Sequence, residues 1–208
     1  MARYTGPLCR ICRRAGEKLF LKGERCLSPK CAVERRKTPP GDHVPRRRRT
    51  SDWALQLREK QKARYMYGVL ERQFRKYFDV ALTRPGVTGQ YLLQLLERRL
   101  DNVVFRLSIA DSRGQARELV RHGHFTMNGR RVNIPSYQVN PGDVIAWKEA
   151  SSKKEVFKES QARVGRTSPP PWLSLDSEHL VGQVIRLPES QDIEGTLDTR
   201  LIVEFYSR

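Results

Sequence analysis

The chain has 208 residues, a formal net charge of +17 from 40 Lys and Arg against 23 Asp and Glu, and 38% apolar residues. That length allows one large domain or two small ones with a modest core, and an excess of positive charge this large repels itself unless a polyanion is present. No run of about eighteen apolar residues occurs, which excludes a membrane-spanning helix, and the start from Met1 to Cys9 lacks the apolar stretch of a secretory signal, so a cytoplasmic protein is expected.

The basic residues are 29 Arg and 11 Lys. Arg presents a planar fork to two phosphate oxygens or a guanine edge and stacks on bases, whereas Lys is a mobile point charge. The ratio therefore favours specific nucleic-acid recognition over general stickiness. Residues 1–50 hold 15 Lys/Arg against 4 Asp/Glu, residues 51–159 hold 20 against 12, and residues 160–208 hold 5 against 7. RNA contacts are expected in the first three quarters of the chain. The acidic remainder is expected to face protein or to support the fold.

Residues 1–36 lack a periodic apolar pattern but carry all four cysteines, Cys9-x2-Cys12 and Cys26-x4-Cys31. Two close pairs at this spacing fit a tetrahedral site of four thiolates, which would staple a stretch too poor in apolar residues to fold alone. Zinc is the expected metal; the same four cysteines also suit an iron–sulfur cluster, and disulfides or free thiols are the other readings. Arg10, Arg13, Arg14, Lys30, Arg35 and Arg36 would offset the surplus negative charge. A closed four-thiolate site leaves no open coordination position, so no catalysis is expected there. Residues 37–50 read as an irregular linker, because prolines prevent helix and Arg46, Arg47, Arg48 and Arg49 repel one another when isolated. This segment is either a solvated tail or an arm that orders on RNA.

Ser51 or Asp52 can cap the next helix, to which Trp53, Leu55, Leu57, Tyr65 and Tyr67 supply apolar surface. A second helix is predicted over residues 70–82, with Phe74, Tyr77 and Phe78 at helical spacing. Pro85-Gly86 ends it, and a third begins after Thr88 with Tyr91, Leu92, Leu95 and Leu96. Their common face reads as the core of a small helical domain rather than as base-stacking platforms. Residues 101–107 are short and helical. Ser112 and Gln115 form a capping box for a helix to about His122, with Gly123 as its left-handed cap. Ala116, Leu119 and Val120 face inward, while Arg113, Arg117 and Arg121, spaced by four, form one outward basic stripe that phosphates would neutralise. Asn128-Gly129 between short strands signals a type I′ hairpin, and Pro141-Gly142-Asp143 leads into a strand at residues 144–147. A mostly polar helix is expected at residues 151–163, and strands near residues 184–187 and 201–206.

The sequence holds no Gly-rich phosphate loop followed by Lys, no Ser elbow and no paired carboxylates in an apolar context. His122 and His124 lie at a helix end beside Arg121 and Arg130, where positive charge disfavours protonation. Local hydrogen bonding and RNA contact are equal readings for them, and no nucleophile stands beside them.

The opening Ala2-Arg3-Tyr4-Thr5-Gly6-Pro7, the run from Arg98 to Leu107, the block from Ser112 to Asp143 containing QARELVRHGHFTMNGRRVNIPSYQVNPGD, and the closing Val203-Glu204-Phe205-Tyr206-Ser207-Arg208 resemble the bacterial ribosomal S-four proteins. The resemblance covers essentially the whole chain, in the four-cysteine form of that family. It implies an α+β chain: a metal knuckle with a basic arm at 1–45, a small helical domain at 46–97, an inserted RNA-binding module of two short helices on a small antiparallel sheet at 98–160, and a segment at 165–208 packing back on the helical domain. It implies a structural protein, not an enzyme, that binds the 5′ domain of 16S ribosomal RNA at a helical junction and nucleates small-subunit assembly. It also implies contact with the S-five protein that influences decoding accuracy, and a position by the path along which messenger enters. The RNA contacts carried over are Arg46, Arg47, Arg48, Arg49, Arg99, Asn102, Arg106, Ser112, Arg113, Gln115, Arg117, Arg121, His122, His124, Asn128, Arg130 and Arg131. Asp42 and Val44 depart from the family's usual Gln and Gly. An RNA-modifying enzyme carrying the module would need a catalytic domain for which too little chain remains. A zinc-bearing DNA-binding regulator would need a recognition helix after the cysteines and dimerising heptads, and neither is present.

Overall fold

Helical spacing of apolar residues dominates the first half of the sequence, and the structure realises it in a unit of residues 1–92 and 195–208. The computed structural model describes residues 3–41, 50–165, 168–193 and 197–207, so Arg46 to Arg49 lie outside the described residues. Three short helices, α1 (Leu8–Ala15), α2 (Glu24–Leu27) and α3 (Ala32–Arg35), accompany the cysteines. Apolar periodicity does not mark them, because so few apolar residues repeat there. α4 (Asp52–Met66) opens on Ser51, whose hydroxyl accepts from the Ala54 amide. α5 (Glu71–Leu82) buries Phe74, Tyr77 and Phe78, as their spacing predicts. The chain crosses into the second unit within α6 (Thr88–Glu97).

α4 departs from expectation. Trp53 and Leu55 are exposed, and the buried face carries Gln56, Lys60 and Lys62 beside Ala63 and Met66. The two lysines tolerate burial because Lys60 meets Glu71 and Lys62 meets Glu17, each at 2.8 Å. A buried cation without such a partner would be strongly destabilising.

The second unit, residues 93–194, sets helices against one antiparallel sheet. Its elements run α7 (Leu100–Arg106), α8 (Arg113–Arg121), β1 (Phe125–Met127), β2 (Arg130–Val132), β3 (Val144–Trp147), α9 (Glu149–Ser152), α10 (Glu155–Arg163), β4 (Leu173–Asp176) and β5 (Val181–Val184). Strand order is β2-β1-β3-β5-β4. Asn128 and Gly129 both take positive φ, 50° and 79°, as a type I′ hairpin requires. Ser112 accepts from the Gln115 amide, but the Gln115 side chain accepts from Asp111 instead of Ser112, so the expected box closes one residue early. The core joins Leu100, Val103, Val104 and Leu107 of α7, Ala116, Leu119 and Val120 of α8, and Phe125, Ile145, Trp147, Trp172, Leu180 and Val184.

This sheet is larger than the sequence reading allows. Residues 165–194, expected to return to the helical domain, instead supply β4, β5 and a 3-10 turn to the second unit. Trp172 and Leu180 are fully buried there, and β5 pairs with β3 through Val144–Gln183 and Ile145–Gly182, which satisfies an edge that would otherwise stand open. The strand expected at 184–187 therefore sits at 181–184, and Ile185 is exposed. Gly182 lets the sheet close on α7: a Cβ there would lie 2.5 Å from Leu107 Cδ1.

From the C-terminal stretch, α11 (Thr199–Tyr206) packs back on α4. Residues 201–206 read as a strand from their β-branched and aromatic run, but Asp198 caps the segment by accepting from the Arg200 and Leu201 amides. As a helix it brings Ile202, Phe205 and Tyr206 to one side, where Tyr206 donates to Glu71 at 2.7 Å and its ring lies 4.6 Å from that of Phe78. Tertiary packing outweighs strand propensity in so short a segment.

Because Leu107 is itself fully buried and cannot swing away, Gly182→Ala is expected to lower the stability of the second unit by about 1–3 kcal/mol. Urea unfolding followed by the fluorescence of Trp147 and Trp172 reads this directly.

Candidate nucleic-acid interface

Two carboxylates organise the arginine-rich run that the family resemblance brought forward. Glu97 is 1% exposed and accepts from Asn102 Nδ2 at 2.7 Å and from Arg106 Nε and Nη2 at 3.0 and 2.8 Å. Asn102 in turn accepts from Arg113 Nε at 2.7 Å, and the Arg113 guanidinium lies 4.5 Å over the Phe105 ring. Asp101 takes a bidentate pair from Arg99, at 3.0 and 2.6 Å, with Arg117 at 3.5 Å. Bidentate, charge-assisted bonds of this kind fix geometry as well as charge.

These contacts correct the outward stripe. Arg117 is buried against Asp101, Arg113 is half-buried, and only Arg121 of the three is exposed. A spacing of four places residues near one face, but the exposed arc of α8 is narrower than the three positions span. Arg99, Asn102 and Arg106 are likewise buried and hydrogen-bonded inside the unit. Ser112 and Gln115 are half-buried and engaged in capping α8.

The exposed positions lie at the end of α8 and on the hairpin. Arg121, His122, Asn128, Arg130 and Arg131 all reach solvent. Asn128 is tied to β3, donating to Asp143 at 2.9 Å and accepting from the Val144 amide at 2.8 Å. Arg131 lies across Gly123, the left-handed residue that closes α8, where a Cβ would meet the guanidinium at 2.6 Å. His124 is buried instead. Its ring stacks on Trp147 at 5.7 Å, and Nδ1 is 3.0 Å from Ser151 Oγ. Burial, and then the charges of Lys154 and His122, hold its pKa below the ordinary histidine range. Glu97 and Asp101 were not marked from sequence; acidic residues interleaved with Arg98, Arg99 and Arg106 are the signal that could have found them.

In the first unit, Cys9, Cys12, Cys26 and Cys31 all line one cavity of about 20 Å³, room for a single water-sized body. The Lys22 amide donates to Cys26 Sγ at 3.3 Å. Burial pushes the Cys12 thiol up, the Leu19 backbone pulls it down, and the three neighbouring cysteines push it up again. Donor number and type fit a tetrahedral metal site, although among the described residues no three or more His, Cys, Asp or Glu side chains converge closely enough to hold an ion as placed. No helix of the described residues is long and apolar enough to cross a membrane.

Comparison with known proteins covers the same ground. Residues 3–97 match the family described as ribosomal protein S4/S9 N-terminal domain, and residues 98–145 match the S4 domain. The chain is 57% identical over 208 residues to small ribosomal subunit protein uS4A of Symbiobacterium thermophilum, and 58% identical over 208 residues to small ribosomal subunit protein uS4 of Heliobacterium modesticaldum. It is 56% identical over 209 residues to the uS4 protein of Thermus thermophilus, and each match covers 100% of both chains.

Two outcomes follow from the buried groups. Glu97→Ala strands the Arg106 charge and is expected to cost about 3–5 kcal/mol in urea unfolding, whereas Arg121→Ala is expected to stay within about 0.5 kcal/mol. For His124 the folded value lies below the ordinary 6.5, so as pH falls through 6.5 the unfolded chain takes up the proton first. Stability is therefore full above that pH and declines below it, and His124→Gln should flatten the decline between about pH 7.5 and about pH 5.5.

Proposed function

This chain belongs to the ribosomal protein S4 family, and from that premise we propose that its second unit grips a folded junction in the 5′ domain of 16S ribosomal RNA and so nucleates assembly of the small subunit. It is a structural protein of the small ribosomal subunit, an RNA binder and not an enzyme. The observation that carries the finer reading is the division of its arginines. Arg99, Arg106 and Arg117 are held by Glu97 and Asp101 and make the module stiff, while Arg121, Arg130 and Arg131 stand exposed on the helix end and hairpin that the stiff part supports. The deep groove of A-form RNA does not expose readable edges, so a junction is recognised by phosphates, 2′-hydroxyls and unpaired bases presented to a fixed charge pattern. Exposed His122 and Asn128, on the same helix end and hairpin, join the contact set, as does half-buried Arg113 at the start of α8. Arg46 to Arg49 approach messenger and ribosomal RNA in this reading.

The S-five protein is proposed to dock where α4 and α11 leave apolar surface open: Trp53 is 51% exposed, with its ring 6.3 Å from Phe205. Zinc held by Cys9, Cys12, Cys26 and Cys31 belongs to the same proposal, with an iron–sulfur cluster as the alternative occupant. The support is the shared cavity of the four thiols and the amide donated to Cys26. When bound, zinc would supply a cross-link between α1, α2 and α3 that apolar burial there does not.

Filter-binding titration against a 5′-domain transcript tests the reading. With about eight phosphates neutralised, the log–log salt slope is expected near −7, and Arg121→Ala should lower its magnitude by about one. A slope near −1 contradicts the basic footprint. For the metal, elemental analysis should find about one zinc per chain, and chelation should make residues 3–41 protease-sensitive; a chelated protein that stays resistant removes the structural role, and visible absorption would identify the iron–sulfur alternative.

A further inference from the structure

An asparagine side chain is lost when the backbone nitrogen of the next residue attacks its amide carbon, and the four asparagines of this chain differ in how open they are to that attack. Asn140 precedes Pro141, whose nitrogen carries no hydrogen to give up. Asn102 is buried in α7, where its amide donates to Glu97 at 2.7 Å. Asn133 precedes Ile134, whose branched side chain crowds the approach. Only Asn128 precedes a glycine. Asn128 and Gly129 are both exposed and both take positive φ, and a Cβ built on Gly129 would meet nothing within 4 Å.

We propose that Asn128-Gly129 is a site of spontaneous deamidation, held in check by contacts to β3, and that its conversion disables the hairpin in chains left without RNA. The side-chain amide is pinned at both ends: Nδ2 donates to Asp143 at 2.9 Å, and Oδ1 accepts from the Val144 amide at 2.8 Å. The Asn128 backbone amide donates to the Val144 carbonyl at 2.9 Å as well. Attack therefore waits on local opening of the turn from β3, a smaller fluctuation than unfolding of the unit. The Gly129 nitrogen then gives its proton to hydroxide and bonds to Asn128 Cγ. Nδ2 takes a proton from water and leaves as ammonia, closing a succinimide. Water opens that ring at either carbonyl and leaves aspartate or isoaspartate. The sum is one water in and one ammonia out, with nothing oxidised or reduced. Either product puts a carboxylate where the amide donated to Asp143, and like charges at that range repel. Isoaspartate also adds a carbon to the backbone, which disturbs the register that pairs Met127 with Arg130. The new charge stands next to Arg130 on the surface assigned above to RNA, and this consequence rests on that reading. RNA seated there covers the turn, so conversion marks chains that wait unassembled.

The test incubates the full chain at mildly alkaline pH and follows each asparagine by peptide mass spectrometry, with isoaspartate and aspartate separated by chromatography. Asn128 should convert ahead of Asn102, Asn133 and Asn140, and about tenfold more slowly than in the urea-unfolded chain. Asp143→Ala should close most of that gap, while Asp143→Asn, which keeps an acceptor oxygen, should retain part of it. A saturating 5′-domain transcript should slow conversion further, and Asn128→Asp should bind the transcript about tenfold more weakly. Earlier conversion of another asparagine overturns the site. So does an Asn128 that survives in the folded chain long after the unfolded chain has converted. Equal rates in folded and unfolded wild-type chain overturn the guard by β3, a comparison that decides even where Asp143→Ala fails to fold. Full affinity in Asn128→Asp, or no protection by bound transcript, overturns the effect on the hairpin. A wild-type protein that does not bind the transcript at all overturns instead the function proposed above, while its conversion rates still report on the site.

Discussion

The carboxylates of Glu97 and Asp101 lie almost wholly out of water, and each holds arginine side chains in place. Moving such ions from water is expensive, and the cost is offset only when geometry is good and the remaining hydrogen-bonding capacity is used. Glu97 meets both conditions through Asn102 and Arg106, and Asp101 holds Arg99 through a bidentate pair, with Arg117 at 3.5 Å. Glu97 at the end of α6 holds Asn102 and Arg106 of α7, while Arg113 and Arg117 of α8 reach Asn102 and Asp101 of α7, so the two ion groups fix how these helices stand to each other while the apolar residues beneath them fill the core.

That constraint explains how a chain with a net charge of +17 keeps an arginine-rich segment folded before any polyanion arrives. Part of the positive charge is neutralised internally and becomes scaffold. In the second unit, Arg121, Arg130 and Arg131 stay exposed on an α8 terminus and a hairpin with a two-residue turn, elements whose backbone is set by local rules. A preformed charge pattern loses less conformational entropy on binding than one carried by free side chains. The first unit uses the same device on a smaller scale, with Lys60 and Lys62 buried against Glu71 and Glu17.

The N-terminal stretch follows a different logic. α1, α2 and α3 are too short to be stable alone, and few apolar residues unite them. Four cysteines around one small cavity are the feature they share. In the proposed reading, a metal replaces the missing hydrophobic cross-link.

Sequence alone settled the local elements whose signals are local. The Ser112 cap, the Asn128-Gly129 hairpin, the buried face of α5 and the inward side of α8 follow from spacing and turn chemistry, and motif resemblance reached the family. It did not settle which arginines face outward, because a cation's exposure depends on whether a carboxylate far along the helix pair is positioned to meet it. Arg117 and Arg121 carry identical signals four residues apart, yet one is buried by Asp101 and the other is open. Nor did it settle the fate of residues 165–208. The same apolar, β-branched composition became strand at Val181–Val184, where the edge of β3 offered hydrogen bonds, and helix at Thr199–Tyr206, where Asp198 offered a cap and α4 a surface. Propensity over eight residues is worth too little to oppose such partners, and the partners exist only once the rest of the chain has folded.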